Sequence, residues 1–237
     1  IDFGSTTHDI AVEKTLPVAS FVGEGSTISD STPTSEAITL KGHKLTALVK
    51  VSMELMEDSR FDLAGQLSQQ FARCFSISEE NAFISGASDA STSPKGLFAG
   101  CTDGVQLASG TAITVEELYI CFYALPRQFR DQSSWVISDS LAKEIRSMRN
   151  DEGGAGTGAF LWEPAFREGE PDRLLGRPVF TSGSAGLMST GDADVGCIAD
   201  MSYYTIGDRS AFRVQRLNEL YMEKGQVAFM GIARLDG

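Results

Sequence analysis

Histidine is nearly absent from this chain: two in 237 residues, His8 and His43. A Ser-His-Asp triad or a His-rich metal site would have to be built on one of them. His8 stands in a short mixed stretch near the N-terminus. His43 stands between Gly42 and Lys44 on a strand, where it is expected to face solvent. Cysteine is also scarce: Cys74, Cys101, Cys121 and Cys197 are widely spaced, with no Cys-x-x-Cys. That pattern argues against the usual zinc sets and predicts reduced structural thiols. Cys74 shares a helical face with Phe71 and Phe75, and Cys121 lies between Ile120 and Phe122. Both are expected to be small buried hydrophobes. Asn-x-Ser/Thr is missing, so nothing points to a glycosylated, secreted protein. No run of about 18 apolar residues exists, so no membrane span is expected. No basic segment precedes an apolar stretch, so no signal peptide is expected.

Positive charge is short. Lys and Arg number 20 against 32 Asp and Glu, a net charge of −12. The excess keeps a protein soluble and argues against a nucleic-acid reader, which needs a basic footprint. Hydrophobic content of 42% and charged content of 22% are ordinary for a folded protein. The length suffices for a sizeable core without independent domains.

Catalytic constellations are missing as well. Gly153-Gly154-Ala155-Gly156-Thr157-Gly158 lacks the lysine of a phosphate loop, and Phe160 stands where it would be wanted. Gly86-Ala87-Ser88-Asp89-Ala90 lacks the last glycine of a nucleophile elbow and follows a helix. The carboxylate pairs Glu79-Glu80, Glu116-Glu117 and Asp151-Glu152 read as solvated surface rather than acid–base pairs. No catalytic, cofactor-binding or metal-binding residue is expected, and no cofactor.

What is present is a set of long elements. Residues 38–59 and 209–237 each read as a long strand. Leu45, Ala47, Val49, Val51 and Met53 alternate with Lys44, Thr46, Lys50 and Ser52, which makes one face apolar. Residues 23–35 are rich in Gly, Ser and Thr and have almost nothing to bury. They are expected to be poorly ordered unless a neighbour covers them. Residues 18–22 and 36–40 read as the two strands of a hairpin around them. An isolated hairpin is marginal in water, so this one waits for another subunit. Ser59 reads as an N-cap with Asp62 at N3. From there Ala64, Leu67, Phe71, Cys74, Phe75, Ser78 and Ala82 recur at helical spacing until Gly86. Gly65 within that helix reads as a close-approach point.

Further on, Thr114 caps a helix with Glu116 and Glu117 in its first turn and Pro126 at its end. Trp135-Val136-Ile137 is a short strand, and a helix starts at Asp139 or Ser140. Residues 174–181, 195–199 and 203–207 read as strands. The mixture is α+β.

Taken in order, several of these segments resemble the major capsid proteins of tailed phages, those with the Hong Kong 97-like fold. They are the Phe21-Val22-Gly23-Glu24-Gly25 lead-in, the Leu-Lys-x-x-Lys-Leu-x-Ala-Leu-Val-x-Val-Ser-x-Glu-Leu strand, and the helix after Glu57-Asp58-Ser59. The Leu175-Gly176-Arg177-Pro178-Val179 strand and the tail with Glu223-Lys224-Gly225-Gln226-Val227 complete the set. The resemblance implies a long spine helix, long antiparallel strands, an extended hairpin loop and a mixed axial domain. It divides the chain into an N-terminal arm remnant (1–17), the hairpin loop (18–44), a peripheral domain (45–96 and 207–237) and an axial domain (97–206).

It further implies a structural protein that assembles with itself into hexamers and pentamers, forming an icosahedral head around double-stranded DNA. An acidic wall suits DNA held only non-specifically. The implied setting is the virion, assembled in the bacterial host cytoplasm, without a membrane. Other implied partners are a portal, a scaffolding segment with its protease, and decoration proteins. The chain opens at Ile1 rather than Met, so residues upstream are expected, missing through processing or through lack of order; removal by such a protease would fit that start. An encapsulin-like or gene-transfer-agent shell keeps the same fold. The alternative from another class is an α/β hydrolase-type enzyme, for which no activated nucleophile is found. Some relatives join subunits by a Lys–Asn isopeptide bond promoted by a Glu. Residues 23–40 hold no Lys, and Asn218 is the only Asn near Glu223, so no such bond is expected.

Overall fold

The computed structural model describes residues 1, 4, 7–27, 30–59, 62–86, 92–101, 104, 107, 112–150, 158–188 and 194–237. In chain order the elements begin with β1 (Thr7–Thr15), β2 (Thr34–Lys41), β3 (His43–Ser52), α1 (Met53–Asp58) and α2 (Leu63–Ser85). Then come α3 (Leu97–Gly100), α4 (Val115–Ala124), α5 (Arg127–Arg130), β4 (Ser134–Ser138) and α6 (Asp139–Ser147). The chain finishes with β5 (Trp162–Glu163), β6 (Arg173–Leu174), β7 (Arg177–Ser182), β8 (Gly196–Ala199), β9 (Gly207–Leu217) and β10 (Gln226–Asp236). It divides into two compact units, Ile1–Glu57 with Ile206–Asp236, and Asp58–Thr205 with Gly237.

The first unit holds an antiparallel hairpin, β1 with β2, and an antiparallel three-stranded sheet ordered β3-β10-β9. The hairpin's first strand is not residues 18–22, which lie outside any strand. It is Thr7–Thr15, within the stretch read as an arm. The physical reason is period two: His8, Ile10 and Val12 alternate with Asp9, Ala11 and Glu13. Ile10 faces Ile38 and His8 faces Leu40 across the ladder. The segment between the strands is held locally, by a bond from the Val18 N–H to Ser31 Oγ (2.8 Å) and a turn from Ser26 N–H to Gly23 O (3.1 Å). Residues 28 and 29 of the stretch expected to be poorly ordered lie outside the described residues.

Residues 38–59 are not one strand. They break at Gly42, where a Cβ would come within 2.8 Å of Arg209 Cδ, and strand β3 ends at Ser52. The tail is likewise a hairpin rather than a strand. Gly225, at φ 61°, takes the left-handed conformation that reverses the chain into β10. His43 does not face solvent. Its side chain is 13% exposed, and Nε2 lies 3.5 Å from Asp236 Oδ1. Asp236 also accepts the Lys41 backbone N–H.

In the second unit α2 is the longest helix among the described residues, about 34 Å at the usual rise. Its N-cap is Asp62, whose carboxylate accepts the Gly65 N–H at 3.0 Å, and not Ser59. A Cβ on Gly65 would meet that same carboxylate at 2.4 Å, so the close approach is to the helix's own cap. Phe71 and Phe75 are buried, but Cys74 beside them is exposed. The buried stripe runs through Leu67, Phe71, Phe75 and Ser78, and Cys74 falls off its edge toward exposed Ile77.

A five-stranded sheet, β5-β6-β7-β4-β8, forms the rest of this unit's frame. β4 and β7 pair in parallel and the other neighbours pair antiparallel. Residues 174–181 are not a single strand. Leu175 and Gly176, both at positive φ (51° and 74°), form the tight turn between β6 and β7. Residues 203–207 are not a strand: a short 3₁₀ turn, Met201–Tyr203, ends at the first of them, and β9 begins only at Gly207. Thr114 and Glu117 form a reciprocal capping box at the start of α4. Leu118, Trp135, Ile137, Leu141, Ile145, Trp162, Leu174 and Val179 make the core, with Cys121 half-buried against it.

Asp172 fastens the edge of that core. Its carboxylate accepts the Ala165 N–H (2.8 Å), the Trp162 indole N–H (3.0 Å) and an Arg146 guanidinium N–H (2.7 Å). The Ala165 N–H first, then the indole and guanidinium, hold its pKa below the ordinary aspartate value. A depressed folded pKa gives stability that is complete above the unfolded pKa and lost as pH falls through the folded one. Asp172→Asn is therefore expected to cost about 1 kcal/mol above about pH 5. The gap to the unaltered protein should close as the solution is made more acid, in urea titrations across pH. A gap that widens below pH 4 would contradict the assignment.

Candidate assembly surface

The hairpin of β1 and β2 exposes side chains that its own chain leaves uncovered. Ile38 is 52% exposed, Val18 is 75% exposed, and Phe21 is fully exposed. Leu16 and Val22 are exposed beside them. Among the described residues, the sheet β3-β10-β9 leaves its two outer strands without a further partner strand. Open edges of this kind are templates for pairing with another chain.

The register places charge on one face of that sheet. Residues directly opposite across a ladder point to the same side. Lys44 pairs with Arg234, Thr46 with Ile232, Leu48 with Met230, and Lys50 with Ala228. On the other side Ile232 pairs with Arg213 and Met230 with Gln215. Lys44, Lys50, Arg213 and Arg234 thus share one face, where Asp236, at the end of β10, is the one carboxylate at a ladder position. None of the four forms an ion pair within 4 Å in the described residues. Lys50 Nζ lies 4.1 Å from the centre of the Tyr221 ring. The opposite face is mostly apolar, with Val49, Phe229, Ala47, Gly231 and Val214, and also carries Arg216 opposite Phe229 and Asp208 opposite Leu235. The hairpin is of the other sign, with Asp9, Glu13, Glu24 and Glu36, of which Glu36 is tied to Lys14 at 2.7 Å.

The residues weighed for chemistry are scattered. His8 lies on β1 and His43 on β3. Glu80 accepts a bond from the Ser182 hydroxyl, and Glu117 belongs to the α4 cap. Residues 87–90 and 151–157, which carry most of both glycine-containing loops and the Asp151-Glu152 pair, lie outside the described residues. Among the described residues no cluster of three His, Cys, Asp or Glu could hold a metal ion. No helix among them is long and apolar enough to cross a membrane.

The family model described as the phage capsid family matches residues 3–237. The chain belongs to the phage capsid family. Its fold is the Hong Kong 97-like capsid fold, and it is a major capsid protein. The chain is 27% identical to the protein of a solved native gene-transfer-agent capsid, at a TM-score of 0.80 over 100% of this chain and 82% of that one. It also aligns with solved structures from Microbacterium phage Oxtober96 and Mycobacterium phage Adephagia. The first is 19% identical over 99% of this chain and 80% of that one, at a TM-score of 0.68. The second is 21% identical over 99% and 79%, also at 0.68. These two show the fold alone. No curated protein matches this chain.

The basic sheet face was not visible in the sequence. Lys44 and Arg213 are far apart along the chain, and only the register of β10 between their strands brings them together.

Proposed function

We propose that copies of this chain build a closed icosahedral shell of hexamers and pentamers, assembled in a bacterial host cytoplasm around double-stranded DNA. The observation that carries this reading is the β1–β2 hairpin, which projects apolar side chains that its own unit leaves bare. Residues of the hairpin overlap a neighbouring copy, and its carboxylates meet the neighbour's Lys44, Lys50, Arg213 and Arg234. Residues 97–206 form the axial domain near the five- and six-fold axes, and residues 45–96 with 207–237 the peripheral domain. The net charge of −12 suits a wall that encloses DNA without gripping it. A portal, a scaffolding segment with its protease, and decoration proteins complete the particle. The chain does no catalysis. Electron microscopy of the concentrated protein tests the reading: polyhedral shells or capsomer rings support it, and a monomer at every concentration in light scattering overturns it.

A second reading is favoured by the 27% identity to a gene-transfer-agent capsid. Sequencing the nuclease-protected DNA of native particles separates the two, since a gene-transfer agent would carry host fragments and a phage its own genome.

The shell is held without covalent links between subunits. Asn218 sits beyond the end of β9, while Gln215 and Arg216 occupy ladder positions. Lys41 and Lys44 lie at the hairpin's base. Assembled particles should run as single chains on a denaturing gel. A ladder persisting under reduction would refute this.

A further inference from the structure

All four cysteines lie in the second unit, and two of them share one cluster. Cys101 follows α3, and its backbone N–H is fixed by Leu97 O (3.1 Å) and Phe98 O (3.2 Å). Cys197 lies on β8, opposite Val136 of β4. Both thiols pack in one small cluster with Phe98, Ala185, Ile84, Leu97 and Val136. Cys197 is buried and Cys101 half-buried, so a reagent reaches Cys101 first. Cys121 packs on the neighbouring core cluster, and burial first, then the Cys101 charge, pushes its thiol up. Cys74, on the exposed side of α2, is apart from this group.

We propose that Cys101 and Cys197 close an intrachain disulfide when the protein passes from a reducing to an oxidising medium. The roles of the two differ. The Cys197 S–H donates to Cys101, which holds the Cys101 thiol below its ordinary range, against the effects of burial and the Asp194 charge. The same bond, then burial, pushes Cys197 up. Cys101, the half-buried thiol that a reagent reaches first, is therefore the attacking group and the buried Cys197 the resolving one. The oxidant is a low-molecular-weight disulfide. Cys101 Sγ attacks one of its sulfurs, forming a mixed disulfide and releasing one small thiolate, which takes the Cys197 proton. Cys197 Sγ then attacks Cys101 Sγ and expels the second small thiolate, which is protonated by solvent. Two protein thiols are oxidised and one small disulfide is reduced to two thiols. The product ties the end of α3 to β8 across a long stretch of chain, and such a loop closure disfavours the unfolded state.

The bond itself does not rest on the assembly reading, so the test uses the dissociated chain as well as particles. The protein is incubated with oxidised glutathione and its intact mass taken, with and without reductant. The unaltered chain and Cys121→Ser should each lose two hydrogens, and fragment sequencing should join Cys101 to Cys197. Cys197→Ser should keep one glutathione on Cys101, and Cys101→Ser should lose both bond and adduct at that site. The thermal midpoint of the oxidised chain should rise by about 5 °C and fall back on reduction. A folded, unaltered chain that stays a dithiol while Cys74 is modified would overturn the proposal. So would a bond that disappears in Cys121→Ser.

Discussion

Gly96→Val is expected to lower the stability of the second unit by about 3 kcal/mol, read as a drop in the urea midpoint. A Cβ at Gly96 would stand 2.3 Å from Gly86 N, 2.8 Å from Ile84 O and 3.0 Å from Gly86 O. A Cβ at Gly86 would stand 2.3 Å from both Ala82 O and Pro94 O. All of these are backbone atoms, which cannot turn aside as a side chain can. The dihedral angles are not the obstacle, since Gly86 and Gly96 sit at φ −58° and −70°. The obstacle is space: two backbone segments cross there, joined by Gly96 N–H to Gly86 O at 3.4 Å. The crossing also finishes α2, because Gly86 N–H closes the last turn onto Ala82 O at 3.0 Å. Gly100 is the control, with nothing within 4 Å of its Cβ position. Gly100→Ala should leave the midpoint unchanged or raise it slightly. Equal midpoints for Gly96→Val and the unaltered protein would remove the crossing from the account.

The double change Val18→Asp with Phe21→Asp should abolish shells while leaving the isolated chain as stable as before. Both side chains are far more exposed than covered, so the folded chain loses almost no contact with them. Their burial can come only from a neighbour. A fully buried Val or Phe side chain contributes about 1.5–3 kcal/mol, and a carboxylate in the same place reverses the sign. Repeated at every subunit contact, that change is larger than a weak interface can absorb. The measurement pairs a thermal melt of the chain with electron microscopy after concentration. Normal shells from the double variant would show that the hairpin tip lies outside the contact, and a lowered melting temperature would show that it packs on its own chain.

Some of this architecture could be read from the residues and some could not. The helix of Leu67, Phe71 and Phe75 and the Thr114–Glu117 cap were legible because each is local, fixed within one or two turns. The residues alone favour a strand at 18–22 over the one at Thr7–Thr15. A compact apolar run outweighed a weaker alternation, and neither holds the information about which partner β2 would choose. Two turns, at Leu175-Gly176 and near Gly225, were hidden inside runs of strand-forming residues. His43 is mostly covered where its sequence neighbours suggest solvent, and Cys74 is exposed where its helical spacing suggests burial. In both cases the deciding neighbour, Asp236 for one and the position of the Phe71–Phe75 stripe for the other, is a matter of tertiary packing. The family arrangement was legible only from the order of several weak motifs together.

In the sheet β3-β10-β9 the middle strand is the one that comes last along the chain. During synthesis β3 emerges early, and β9 emerges much later, yet neither can pair with the other directly. Both must wait for Gln226–Asp236 to pass between them. The slowest contacts to form are therefore the ones that complete this unit, as long sequence separation dictates. The basic face does not exist until that strand is in place, because Arg234 is carried by it and Lys44 and Arg213 are aligned by it. On the proposed docking, a ribosome-bound fragment would carry its hairpin but no finished surface to receive one. On that same proposal, the order of translation would keep half-made chains out of a growing lattice.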